Sequence, residues 1–536
     1  MARLNKLFSS EKQTVEQISD VDEVSSKGGV VVPAPPEIYN SRIVVIAVTA
    51  AFAAVIIGYD AGFIGGTVSL ASFQSEFNMT LMTSAEKTNI EANVVSVFQA
   101  GAFFGALFFY PIGEIWGRKL GLILSAFLLV FGAGISLESR QSTGLGAIYA
   151  GRVITGVGVG GCSGLAPIYI SECSPVKIRG KLVGTWELSW QVGGILGYWI
   201  NYGVLQTLPA STKQWMIPFA IQLIPSGFFF YWLSPRFLIQ KGKIEEARSS
   251  LSMLRKLSVD HPYSVQEMDI LVRDVEDKKL KLPSGGFFAP TRKILQSKKL
   301  LLRMLLSTSL FPMQNGSGIN AITYYSPKIF ASFGIVGSRS GLLSTGIFGI
   351  LKAAAALVWM FFIVERFGRR TALVWFSIPC SIAMWYIGAY IKIADPTARV
   401  AAGNTTQDAG GRAAQAMLYI WTVFYGVSWN GTPWVINAEI FSQEVRTVAQ
   451  AVNAMSNWFW AFIMGRFSGQ AVDAIGFGFY FIFASCMLVF PVVVYLFYPE
   501  TKGVPLEAVD YLFEVPAWKA RDYALTKYEN ELVDRA

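Results

Sequence analysis

Twelve apolar stretches run through this 536-residue chain, each about 20 residues long, the length an α-helix needs to cross a bilayer. They fall near 43–66, 92–112, 119–137, 146–170, 182–203, 215–234, 304–330, 341–364, 370–393, 415–437, 448–469 and 477–498. In lipid the backbone must satisfy its own hydrogen bonds, so stretches of this kind fold as helices. Composition agrees: 15% of residues are charged and 53% hydrophobic, against roughly 25% charged in a soluble domain. Polar surface is too scarce to face water all round. The expected fold class is an all-α membrane protein with twelve transmembrane helices.

Two charged patterns each occur twice. Glu114-Ile115-Trp116-Gly117-Arg118-Lys119 returns as Glu365-Arg366-Phe367-Gly368-Arg369-Arg370, an offset of 251 (365 minus 114). Glu172 and Arg179 return as Glu439 and Arg446, an offset of 267 (439 minus 172). Every copy sits where an apolar stretch ends. Nearly constant offsets imply duplication, here of a six-helix unit, and hence two pseudo-symmetric halves around a central cavity. The expected organisation is an N-terminal tail over 1–42, a first half over 43–234, a polar central loop over 235–303, a second half over 304–498 and a C-terminal tail over 499–536. Within the loop, 244–254 has helical spacing, so short amphipathic helices at the membrane surface are expected.

Loop charge fixes the orientation. Basic residues crowd every second loop: Arg118 and Lys119; Lys177, Arg179 and Lys181; 235–300; Arg366, Arg369 and Arg370; Arg446. Alternate loops hold only scattered ones, such as Lys87, Arg140, Lys213 and Arg339. Lys and Arg stay cytoplasmic, and an even number of spans puts both termini on that side. The net charge of +9 therefore follows topology and needs no nucleic-acid partner. The first 40 residues are polar, and no apolar core follows Arg3 and Lys6, so no cleavable signal peptide is expected.

Other signals exclude function classes. The single histidine, His261, lies in a polar loop, and Cys162, Cys173, Cys380 and Cys486 have neither metal nor disulfide spacing. They read as packing residues. No nucleophile–base constellation, metal cluster or cofactor motif stands in a credible setting, so the chain reads as a non-enzyme. Gly156, Gly158 and Gly161 form a GxGxxG pattern, but mid-span, where small residues let helices approach closely. Glycosylation sequons occur at Asn78, Asn315, Asn404 and Asn430. Only Asn78 and Asn404 fall in outer loops.

Taken with Gly58-Tyr59-Asp60, Gly151-Arg152, Ser234-Pro235-Arg236-Phe237-Leu238, Ser317-Gly318-Ile319-Asn320, Tyr324-Tyr325-Ser326 and Pro499-Glu500-Thr501-Lys502-Gly503, the duplicated patterns resemble the sugar porter family of the major facilitator superfamily. The order is kept from about 58 to 507. There are departures: Glu114 and Ile115 weaken the first Asp-Arg-x-Gly-Arg-Arg, Leu188 stands where the fifth span usually has Gln, with Gln191 one turn on, and Gln314-Asn315 replaces a Gln-Gln pair. Trp186 to Gly194, with Asn201-Tyr202-Gly203 and Pro36-Glu37-Ile38-Tyr39-Asn40, looks like the fungal quinate permease branch. Related fungal members carry neutral sugars or sugar acids.

The resemblance implies proton-coupled uptake of a small polyhydroxy substrate by alternating access, by a monomer in the plasma membrane bilayer with protons as co-substrate and no cofactor. The alternatives are a passive monosaccharide facilitator and a transporter-like nutrient receptor. Receptors of that kind often signal through a long tail; only about 37 residues follow Pro499 (536 minus 499).

Charges inside spans are functional candidates by default. Asp60, in the first span, reads as the proton carrier, with Arg152 as the cation that the resemblance supplies; the bland alternative is a static tie between two helices. Gln191, Gln314, Asn315, Asn320, Tyr325, Trp434, Asn457 and Trp458 are expected to line the cavity, since polyhydroxy compounds need small donors, acceptors and aromatic faces. Amides that merely bridge helices are the alternative. Lys352 lies midway along the eighth span. A neutral sugar gives no reason to bury an ammonium, whereas the carboxylate of quinate or a uronic acid does; snorkelling or pairing with Glu187 also accounts for it. Glu114, Arg118, Glu172, Arg179, Glu365, Arg369, Glu439 and Arg446 are expected to form gating ion pairs within or across the halves, beyond simple anchoring.

Overall fold

The computed structural model describes residues 35–175, 178–224, 234–281, 288–403, 406–442 and 444–535, and every regular element among them is helical. The main helices are α1 (Ser41–Val68), α2 (Ser84–Ile115), α3 (Arg118–Ser136), α4 (Gly146–Cys173), α5 (Arg179–Thr207) and α6 (Thr212–Ile221). Then come α7 (Pro235–Gln240), α8 (Ile244–Arg255) and α9 (Pro262–Lys281), followed by α10 (Lys298–Asn315), α11 (Ile319–Ala331), α12 (Ser338–Val358), α13 (Arg369–Ala394), α14 (Ala409–Gly426), α15 (Thr432–Glu439), α16 (Arg446–Ile475), α17 (Gly478–Phe497) and α18 (Ala520–Arg535).

Among the described residues, seven helices are long and apolar enough to cross a membrane by length and composition. The other spans deviate in ways that matter. The seventh expected stretch is two helices, α10 and α11, and the tenth is α14 and α15. The sixth is described only as far as residue 224. Each interruption frees backbone groups inside the apolar zone, which is tolerated only against protein or a wet cavity.

The duplication is visible in packing. In the first half α4 lies against both α2 and α3; in the second its counterpart α14 lies against both α12 and α13. The halves meet where α2 packs on α16 and α5 packs on α12. The GxGxxG glycines serve this packing: a Cβ on Gly156 would lie 2.1 Å from the Phe98 carbonyl oxygen, and one on Gly158 2.6 Å from that of Ser125. No other residue lets these backbones come so close.

Residues 36–45 and 234–281 form a separate compact unit. Its core is Leu238, Ile239, Ala247, Leu251, Met268 and Val275. Asn40 donates to the Leu254 carbonyl at 3.0 Å, and Arg255 pairs with Glu267 at 2.6 Å. The amphipathic spacing at 244–254 thus corresponds to α8.

Candidate functional site

A small cavity of about 60 Å³ lies between the two halves. The first half contributes Ala61, Glu187 and Trp190; the second contributes Gln314, Asn315 and Asn320 around the α10–α11 break, Lys352 from α12, Asn430 and Trp434 around the α14–α15 break, and Asn457 and Trp458 from α16. Both interruptions therefore open onto the same space. Gly318 takes φ +95°, and an added Cβ would meet the Phe483 ring at 2.7 Å, so glycine is required at that turn.

Four of the five amides lining this space, Gln314, Asn315, Asn320 and Asn430, are already committed. Gln314 Nε2 donates to the carbonyls of Trp429 at 2.7 Å and Asn430 at 3.0 Å, satisfying groups that the α14–α15 break leaves open. Asn315 Nδ2 donates to the Phe311 carbonyl at 2.9 Å, and its Oδ1 accepts from Asn320 Nδ2 at 2.5 Å. Such networks fix donors and acceptors in place before a ligand arrives. Trp190 and Trp458 stack across the halves, and Trp458 Nε1 donates to Ser163 Oγ at 3.0 Å. The two indoles form an aromatic floor.

Two charges face the cavity. Glu187 Oε1 accepts from Gln191 Nε2 at 2.5 Å and from Asn430 Nδ2 at 2.6 Å, the second bond joining the halves. Lys352 is 9% exposed. Among the described residues no ion pair or hydrogen bond engages its ammonium, and Glu187 lies in the same wall.

Two residues expected in the cavity lie outside its lining. Gln191 sits one turn beyond Glu187 and folds its amide back onto that carboxylate. Tyr325 stands at a kink in α11 (φ −112°, ψ 20°), which turns its hydroxyl onto the Gly465 carbonyl at 2.6 Å. Tyr324 faces the cavity instead. Sequence reasoning also passed over Trp190 and Asn430, and weighed Glu187 only as a partner for Lys352. Glu187 carried a usable signal, being a lone carboxylate inside the fifth span. Asn430 gave none beyond a sequon in the wrong place.

Asp60 and Arg152 pair side by side, Nη1–Oδ1 2.9 Å and Nη2–Oδ2 3.1 Å, at 1% and 2% exposure. Arg152 Nε also donates to the Val94 carbonyl, and its guanidinium lies 5.1 Å from the Phe98 ring centre. The pair stands behind the cavity wall, whose lining includes the adjacent Ala61. The helix that accepts from Arg152 at Val94, α2, also reaches the second half: with the Gln99 amide oriented so that its nitrogen faces the Val95 carbonyl, its oxygen accepts from Tyr324 Oη at 3.0 Å.

At the helix ends carrying the Gly-Arg turns, the duplicated residues repeat one arrangement. Arg118 donates to the Gly113 carbonyl at 3.0 Å and pairs with Glu114 at 2.9 Å and Glu172 at 3.1 Å. Arg369 donates to the Val364 carbonyl at 2.9 Å and pairs with Glu439 at 2.9 Å. These pairs each join residues of one half. Glu439 also accepts from Thr501, and Arg446 donates to the Phe441 carbonyl at 3.0 Å. The side chains of Arg179 and Glu365, like Asn404, lie outside the described residues. Asn78 is exposed, with φ 54°.

At the opposite ends a wider recess of about 440 Å³ is lined by Lys87, Thr88, Glu91, Tyr324, Tyr325 and Lys328. Here the halves are tied by Asp473, which pairs with Lys328 at 2.7 Å and accepts from Thr88 Oγ1 at 2.7 Å. Gly65 lets α1 approach the Tyr324 carbonyl, which an added Cβ would meet at 2.0 Å.

The chain matches the family model described as "Sugar (and other) transporter" over residues 46–513. It belongs to that family. This transporter is 48% identical over 511 residues to "Quinate permease" from Emericella nidulans, covering 94% of this chain and 95% of that relative. It is 47% identical over 505 residues to "Probable quinate permease" from Aspergillus clavatus, covering 93% of each. Its fold is that of the proton:xylose symporter XylE solved with 6-bromo-6-deoxy-D-glucose, with a TM-score of 0.72 at 22% identity over 89% of this transporter and 100% of that chain.

Proposed function

We propose that this transporter carries quinate, or a closely related polyhydroxy carboxylate, into the cell together with protons, as a secondary active symporter working by alternating access. The observation that carries the reading is Lys352: a buried ammonium with no hydrogen bond or close ion pair among the described residues, facing a cavity whose wall holds one carboxylate, Glu187, among amides and indoles. A carboxylate satisfies that charge, while the ring hydroxyls meet Asn320, Asn457 and the Gln314–Asn315 pair and the C–H face meets Trp434 and Trp458. The names of the relatives support the same substrate class.

Asp60 takes the role of proton carrier and Arg152 that of its counter-ion. Protonation releases Arg152, and α2, which holds Arg152 at the Val94 carbonyl and Tyr324 at Gln99, supplies a route by which that change reaches the cavity. The Gly-Arg ends face the cytoplasm, both termini with them, because basic residues gather there. The location is the plasma membrane and the working unit a monomer in the bilayer. The Arg118 and Arg369 networks keep each half rigid while the halves rock.

One observation favours a second reading, a passive monosaccharide facilitator. The Asp60–Arg152 pair is two-pronged, fully buried and set behind the wall, as a purely structural tie would be. Uptake of labelled quinate, galacturonate, glucose and xylose in transporter-deficient yeast, with and without a protonophore, decides between them. Quinate accumulation abolished by the protonophore is the expected result. Glucose uptake insensitive to the protonophore, with no quinate uptake, overturns the proposal.

A further inference from the structure

Among the residues lining the cavity, Glu187 and Lys352 are the only acid and the only base, so with both ionised the wall is neutral. A substrate carboxylate seated on Lys352 changes that. Two carboxylates then share one ammonium in a single cavity wall, and like charges sharing a site favour a proton on one of them.

The geometry selects which oxygen takes the proton. Both amide donors on Glu187, Gln191 Nε2 and Asn430 Nδ2, fall on Oε1. Oε2 is left to hold a proton and to donate it to the substrate. The neighbouring elements present no competing charge. Lys352 comes from α12, the Tyr425 hydroxyl from α14, and the neutral Asn457 and Trp458 from α16. Packed on α5 through Gly58 and Gly62, α1 carries Asp60, but that carboxylate is turned to Arg152.

We propose that Glu187 is a second proton site of this transporter, loaded when a substrate carboxylate occupies Lys352 and unloaded with it, in addition to the proton at Asp60. The inference rests on the anionic substrate proposed above. No bond other than O–H is made or broken: a proton from the outer solution joins Oε2 as the anion enters and leaves to the inner solution as the anion departs. Protonation also weakens the charge-assisted bond from Asn430, one of the ties between the halves. The consequence is electrical. One anion with the Asp60 proton alone would cross without net charge and draw nothing from the membrane potential; a second proton makes the cycle move one positive charge inward.

The test uses the full-length protein in liposomes, with quinate as probe. Wild type is expected to move two protons per quinate and give an inward current. Glu187→Gln is expected to move one proton per quinate and give no current. An unchanged ratio and current in Glu187→Gln overturn the proposal while leaving the anion reading intact. A wild type that moves one proton per quinate with no current also overturns it. A second measurement needs no variant: in weak buffer, quinate binding to solubilised wild type is expected to take up one proton at Glu187, and the neutral methyl ester of quinate none. Equal proton uptake with the two ligands, or none with either, overturns the proposal. Absence of quinate binding by wild type, or Lys352→Met binding quinate as well as wild type does, overturns the anion reading and this inference with it.

Discussion

Trp190 and Trp458 lie nearly parallel across the boundary between the halves, with ring centres 6.2 Å apart and planes 17° from each other. They belong to different six-helix units, so this stack joins the halves at the cavity floor. An aromatic pair contributes about 0.5–1.5 kcal/mol beyond its buried area. Trp458→Ala also removes the donor to Ser163. It is expected to raise the apparent KM for substrate about 3- to 10-fold, with surface expression retained, as read by uptake kinetics beside an immunoblot. Unchanged KM would remove the stack from the site.

Asp60→Asn leaves the Arg152 guanidinium buried without its carboxylate. Breaking a buried pair from one side costs about 3–5 kcal/mol, less here because an amide oxygen still accepts. Loss of quinate accumulation with retained counterflow exchange is the expected result, measured with preloaded vesicles. Retained accumulation would assign the pair to architecture.

Lys352→Met removes the charge and keeps the shape. A hydrogen bond to a charged group contributes about 1.5–3 kcal/mol, so quinate affinity is expected to fall about 10- to 100-fold, while affinity for a neutral cyclitol changes little. Competition binding with both ligands reads the difference. Equal losses for both would point to packing.

Arg118→Glu is expected to halt transport by placing a third carboxylate beside Glu114 and Glu172. Because Arg118 meets Glu172 within the first half, Arg118→Glu combined with Glu172→Arg is expected to recover part of the uptake. The cross-half combination Arg118→Glu with Glu439→Arg is expected to recover none. Recovery in the cross-half variant would place the pairs between the halves.

Asp408 caps α14 and, outside the membrane zone, has its carboxyl held below the ordinary range, first by the hydrogen bond from Tyr390, then by the Gly411 N–H and Arg399. A depressed carboxyl stabilises the fold above its unfolded value, about 3.9, and the contribution fades as pH falls through the lower folded value. Asp408→Asn is therefore expected to unfold at a lower temperature than wild type at neutral pH, with the gap closing below about pH 4. Thermal unfolding across pH checks the sign.

Much of the fold was legible because the bilayer imposes a length rule. Eleven of the twelve apolar stretches coincide with described helices, the sixth running beyond the described residues, and the two Gly-Arg turns marked one face. The helix breaks were harder to read, since Gly316 to Gly318 and Val427 to Gly431 look like ordinary glycine content inside apolar segments. Asp60, Arg152 and Lys352 stood out as charges in spans. Glu187 carried the same signal, but its bond to Asn430 depends on a contact between residues 243 apart, which no local spacing encodes. Tyr324 and Tyr325 were equivalent on paper. Only the kink at Tyr325 separates them.

The Asp473 tie to Thr88 bears on turnover. Other polar links between the halves, Asn430 to Glu187 and Trp458 to Ser163, are likewise single hydrogen bonds, contributing about 0.5–1.5 kcal/mol net where both partners are neutral and about 1.5–3 kcal/mol where the acceptor is a carboxylate. Within a half, by contrast, glycine-mediated backbone contact and paired arginines resist deformation. Such a division lets either end come apart with a shallow activation barrier while the interior of each half stays fixed. Cycle rate is then tunable at the Thr88–Asp473 end, away from the cavity, without disturbing the residues that recognise cargo.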